Sequence, residues 1–127
     1  MSIINLKERR KEKKLQKLLR SVRNIVNSPF EAVIPHIYVE QIETKSQEVT
    51  NLIDELSTLD FSNISSVEIE NLEGCIMSYS RVLNETENIL FNQPAELLDR
   101  IIESLKVMIQ QTRSNDSGTD SDTFDFK

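Results

Sequence analysis

Tryptophan is absent from this chain, and histidine and cysteine occur once each, as His36 and Cys75. A lone cysteine closes no disulfide within the chain and anchors no zinc site without several further soft ligands. A single histidine excludes a His-x-x-x-His metal pair. Glycine is almost as scarce. Gly74 and Gly118 are the only two, so no glycine-rich loop can cradle a phosphate. Three prolines complete the shortage of turn residues among 127 positions. An all-β fold needs many turns, so the shortage points instead to long helices joined by few breaks. No apolar run reaches the ~18–20 residues that span a bilayer. The opening residues lack the ~7–15-residue apolar core of a secretory leader. The expectation is a reducing, intracellular compartment, cytoplasmic or nuclear, with the sequons at Asn63, Asn84 and Asn115 fortuitous.

What the chain does have is patterned charge. Its net charge of −6 conceals two opposed parts. Residues 1–27 hold nine basic and two acidic side chains, giving +7. Residues 28–127 hold six basic and nineteen acidic ones, giving −13. Such asymmetry is a physical statement about partners and steering rather than about fold.

Apolar periodicity supplies the fold class. Leu15, Leu18, Leu19, Val22, Ile25 and Val26 recur at helical spacing, and Asn27-Ser28-Pro29 ends that run. Its N-terminal half, Lys7 to Lys14, is basic on nearly every face and is expected to project beyond the core. A second helix, with Pro35 in its first turn, is read to about Leu59 on the stripe Ile42, Val49, Leu52, Ile53, Leu56 and Leu59. Asp60 to Ser65 is a loop, and Ser65-Ser66-Val67-Glu68 reads as a capping box. A third helix over 66–91 places Ile69, Leu72, Ile76, Tyr79, Leu83, Thr86 and Leu90 at a strict alternation of three and four, a heptad seam. Gly74 lies inside this helix but off the seam, where it could allow a close helix approach. A fourth helix follows Pro94 on Leu97, Leu98, Ile101, Ile102, Leu105, Met108 and Ile109. The expected fold is all-α: a helical bundle or an elongated antiparallel hairpin of the second and third helices, with coiled-coil character. Three regions follow: a basic N-terminal helix (1–28), the bundle or hairpin (29–113) and an acidic, disordered tail (114–127).

No constellation of catalytic type emerges. His36 reads as a surface or capping residue and Cys75 as a small packing residue. The glutamates at 68, 70, 73, 85 and 87 read as a solvated face, so no enzyme, metal or cofactor is expected. Three features could carry function. The seam residues Ile69, Leu72, Ile76, Tyr79, Leu83 and Leu90 suit a like or unlike helix, or else close within the chain. Oligomerisation, or an adaptor role toward a protein partner, is the first functional reading. The basic set Lys7, Arg9, Arg10, Lys11, Lys13, Lys14, Lys17 and Arg20 suits phosphate, with nucleic acid as the alternative reading. It equally suits pairing with the acidic remainder. A membrane surface is disfavoured, because neither a myristoylation glycine nor a tryptophan is present. In the tail, Phe124 and Phe126 stand in an acidic setting that could dock in a basic groove. The heptad material at Leu15–Val22 and Leu52–Leu59 is generic and carries no family motif.

Overall fold

The structure is a computed structural model that describes the backbone of residues 3–85 and 90–116, with side chains over 9–85 and 90–113. Four helices account for most of it: α1 (Ile3–Val26), α2 (His36–Leu56), α3 (Ser66–Leu83) and α4 (Gln93–Asp116). A single 3-10 turn, Phe61–Asn63, sits between α2 and α3, and no strand occurs among the described residues. The all-α bundle expected from the periodicity is what forms.

Local chemistry sets the helix ends, and four of them differ from expectation. Pro35 lies just outside α2 rather than within it, and its carbonyl accepts from the N–H groups of Tyr38 and Val39. At the other end α2 stops at Leu56 instead of Leu59. There the hydroxyls of Ser57 and Thr58 bond back to Ile53 O (2.7 Å) and Glu55 O (2.8 Å), competing with helix propagation. The third helix stops at Leu83, well short of position 91. Asn84 caps it, with its side-chain amide on Ser80 O at 3.1 Å. Asn and Thr are weak helix formers, and the polar run from Asn84 offers no apolar face to hold another turn. The last helix runs through Asp116, past the boundary expected at 113. The disorder expected beyond it lies outside the described residues.

Contacts between helices fix their directions. Lys45–Asp99 (2.7 Å), Lys106–Glu48 (3.5 Å) and the Arg113–Glu55 pair climb α2 and α4 together, so these two run parallel. The Ser104 hydroxyl donates to Glu68 at 2.7 Å, and Ser65 N–H donates to the Gln111 amide oxygen at 3.2 Å, so α3 and α4 run antiparallel. α2 packs on α4 and α1, and α3 packs on the same two. The expected hairpin of α2 against α3 is therefore not the architecture: α1 and α4 lie on opposite sides of that pair. The connection explains it. Phe61 and Ile64 are buried core members, and the turn that carries them touches both α1 and α4. That segment is a packed element that bridges a diagonal, not a tight link between neighbours.

The N-terminal helix shares this core. Leu15, Leu19, Val22 and Val26 are buried in the same cluster as the interior of α2, α3 and α4. Burying each such side chain contributes roughly 1.5–3 kcal/mol. The basic half expected to project is tethered as well. Lys11 Nζ donates to Ser62 O (3.0 Å) and Ile64 O (2.9 Å), tying α1 to the far loop.

Candidate interaction surface

The heptad seam faces inward. Ile69, Leu72, Ile76, Tyr79 and Leu83 are all buried, covered by helices of the same chain. Leu90, the sixth seam residue, is 63% exposed and lies beyond α3. Thr86 is outside the described residues. The seam therefore closes within the chain in this fold and leaves no apolar stripe of α3 open to a partner. Gly74, considered for a close helix approach, faces open space: a Cβ there meets nothing within 4 Å. The capping box is half formed. The Ser65 hydroxyl accepts from Glu68 N–H at 3.1 Å, but the Glu68 carboxylate accepts from Ser104 and from Asn71 (3.2 Å) instead of returning to Ser65. Glu68 is thus a tie between α3 and α4, not part of a solvated face.

The structure divides the basic set. Lys11 is spent on the two loop carbonyls, and Lys14 pairs with Glu73 on α3 at 3.6 Å. Arg23 binds Asp54 on α2. These three flank the buried stripe of α1 and bind it to its neighbours. Arg9, Arg10, Lys13, Lys17 and Arg20 are exposed, and none forms an ion pair with a described residue. At ~100° per residue, these five fall in one sector about 100° wide, centred opposite Leu15, Leu19, Val22 and Val26. No acidic residue occupies that sector. The stripe is ~17 Å long at 1.5 Å per residue. The Lys7 side chain, and Phe124 and Phe126, lie outside the described residues.

Like charges at i and i+4, such as Arg9/Lys13 and Lys13/Lys17, cost an isolated helix about 0.2–0.5 kcal/mol per pair. One glutamate in the sector would relieve this, and none is there. Folding alone does not call for such a row.

The two residues weighed for reactivity have other surroundings. His36 sits at the exposed start of α2 with Nε2 at 3.1 Å from the Glu40 carboxylate. Cys75 is half-buried against the core, and burial pushes its thiol upward, away from the reactive thiolate. Among the described residues no cluster of His, Cys, Asp and Glu is placed to hold a metal, and no helix is long and apolar enough to cross a membrane. Comparison with known proteins adds no assignment, since no family model, no curated protein and no solved structure matches the chain.

Proposed function

We propose that this protein is a non-enzymatic helical interaction module that binds the phosphate backbone of a nucleic acid through the outward face of α1. The observation that carries this reading is the row of five exposed cations, Arg9, Arg10, Lys13, Lys17 and Arg20, in one sector of one helix and without an ion pair to any described residue. Their i+3 and i+4 spacing sets neighbouring charges about 5–6 Å apart at Cβ. Nucleic acid is the partner whose charge is dense and continuous enough to engage all five. The face carries no aromatic residue, so it offers no stacking platform for single strands and suits a duplex backbone better. The acidic remainder confines contact to this edge. The rest of the bundle holds α1 rigid, through its four buried aliphatic residues and the Lys11, Lys14 and Arg23 ties. The reading in which α3 recruits a protein through its seam loses support, because those side chains are already buried.

The test is anisotropy of a short labelled DNA duplex titrated with the full chain at rising salt. Binding is expected at low salt and should fall with a log–log slope of about −4 to −5 if five phosphates are neutralised. Reversing Arg9, Arg10, Lys13, Lys17 and Arg20 to glutamate should abolish binding and preserve helicity, because all five are exposed. No binding at low salt, or binding that survives the reversal, overturns the proposal.

A further inference from the structure

The cationic row of α1 begins at the end of the bundle where α4 finishes. Two consecutive residues show this. Lys11 Nζ donates to Ile64 O at 2.9 Å, and Ser65 N–H donates to the Gln111 side chain at 3.2 Å. Arg9, Arg10 and Lys13 stand within one helical turn of Lys11, at the near end of the row. Past Asp116, where α4 closes, the sequence continues outside the described residues with Ser117 to Lys127. This segment holds Asp120, Asp122 and Asp125, sets Phe124 and Phe126 on either side of the last, and has one cation, Lys127. Its eleven residues, extended, reach up to about 36–40 Å. Crossing the bundle diagonal to the outer side of α1 takes about 16–20 Å, for helices ~8–10 Å apart and ~10–12 Å across. What remains, about 16 Å or more, is close to the ~17 Å length of the row.

We propose that residues 117–127 lie back over the outward face of α1 and occupy its cations until a nucleic acid displaces them. The competition rests on the nucleic-acid reading above, whereas the docking itself does not. Charge complementarity assigns the occupant. The sector holds five cations and no acid, and the segment brings three aspartates from a point within reach. Its two aromatics fit the same face. Three of the five cations are arginines, whose planar guanidinium groups stack on aromatic rings as lysine ammonium groups do not. The basic groove that Phe124 and Phe126 call for is thus supplied by the chain itself. Tethering strengthens the contact, because a short linker holds the segment at an effective concentration on the order of millimolar. Contacts too weak to retain a free peptide therefore suffice. A nucleic acid binds only the fraction of chains whose face is open, and its apparent affinity is reduced by that fraction.

Docking is read first, without nucleic acid. The full chain with Ser121→Cys and Cys75→Ser carries a nitroxide at position 121, and proton–nitrogen correlation NMR at low salt records which amides it broadens. Broadening should centre on residues 9–17. It should fade at 1 M salt, where the screening length is ~3 Å, and when Arg9, Arg10 and Lys13 are changed to glutamate. The second arm is anisotropy of the labelled DNA duplex with the native Cys75 in place. Asp120→Asn, Asp122→Asn and Asp125→Asn together should tighten duplex binding about three- to tenfold, the effect of opening a face that is mostly occupied. Glu43→Gln, Glu70→Gln and Glu103→Gln together raise net charge equally, at exposed positions on α2, α3 and α4. They should change binding by less than about twofold, because exposed charges farther off than ~10 Å are screened. No broadening over residues 9–20 overturns the docking. Broadening that arises only on unlabelled chains mixed with labelled ones places the segment on a second copy and overturns the internal assignment. Aspartate changes that act no more strongly than the glutamate changes overturn the competition. A chain that shows the broadening but binds no duplex, even with the three aspartates neutralised, sinks the nucleic-acid reading and the competition with it, and leaves the docking standing.

Discussion

Gly74 occupies the middle of α3 with open space where its Cβ would stand. Nothing in the packing requires glycine there, and its backbone freedom only weakens the helix. Gly74→Ala is expected to stabilise the protein by about 1 kcal/mol in chemical denaturation. A loss of stability would mean that α3 makes a close approach at this point after all. The core hydroxyls of Ser46 and Tyr79, both without a hydrogen-bond partner, show the opposite imbalance. A buried hydroxyl without a partner costs about 1–3 kcal/mol. The double change Ser46→Ala with Tyr79→Phe should therefore be neutral or stabilising. A loss near 2 kcal/mol would show that the two hydroxyls are bonded in solution. Tyr79 also leaves a signature in pH. Burial raises its folded pKa above the unfolded value near 10, a rise that nearby Ser46 tempers. Below that value both states keep the proton, and Tyr79 adds no pH dependence. Above it the unfolded chain alone releases the proton, so stability falls as pH rises. The midpoint of denaturation should drop more steeply above pH ~10 in the parent than in Tyr79→Phe, which lacks the titrating group.

At the scale of elements, periodicity in the sequence carries most of the fold, and pairing carries little. Leu15, Leu19, Val22 and Val26 are buried where their spacing places them, as are Ile42, Val49, Ile53 and Leu56 on α2. Which helix faces which was not legible, because the stripes are chemically alike. The choice rests on Phe61 and Ile64 in a segment read as loop, and on polar ties such as Glu68–Ser104. The candidate surface was legible to the same degree. Sequence shows eight cations in one segment but not which are spent. Lys11 finds its partners 51 and 53 positions away, a relation no local pattern encodes. That division of labour is testable. Lys11→Met removes two charge-assisted bonds and should destabilise by about 1.5–3 kcal/mol, whereas Lys13→Met on the outward face should stay within about 0.5 kcal/mol. Equal effects would erase the distinction between tethering and outward cations. Leu72, wholly buried on the seam, gives the matching test for α3. Leu72→Ala should cost about 2–5 kcal/mol of folding stability at any protein concentration. A cost that shrinks with rising concentration would place the seam at an interface between chains.

For the whole molecule, the arrangement of charge and apolar surface governs association. Among the described residues the exposed large apolar ones are Val33, Ile37, Val67, Met77 and Leu90. Val67 opens α3 and Met77 lies midway along it, while Val33 and Leu90 belong to the connections at the other end and Ile37 to the first turn of α2. A stable interface buries about 1,200–2,000 Å², with a packed apolar centre. Residues scattered in this way do not assemble one, and the seam that could is already enclosed. Charge can still draw chains together, since the basic face of α1 complements the acidic remainder of a second copy. That attraction acts between exposed groups and is screened beyond ~8 Å at physiological ionic strength. Light scattering is therefore expected to give a monomer at high salt. At low salt, any heavier species should be weak, concentration-dependent and abolished by reversing Arg9, Arg10, Lys13, Lys17 and Arg20. A dimer that persists at high salt could not be held by this charge pattern. It would require the α3 seam to open toward a second chain, and would return the seam to the role that its heptad spacing first suggests.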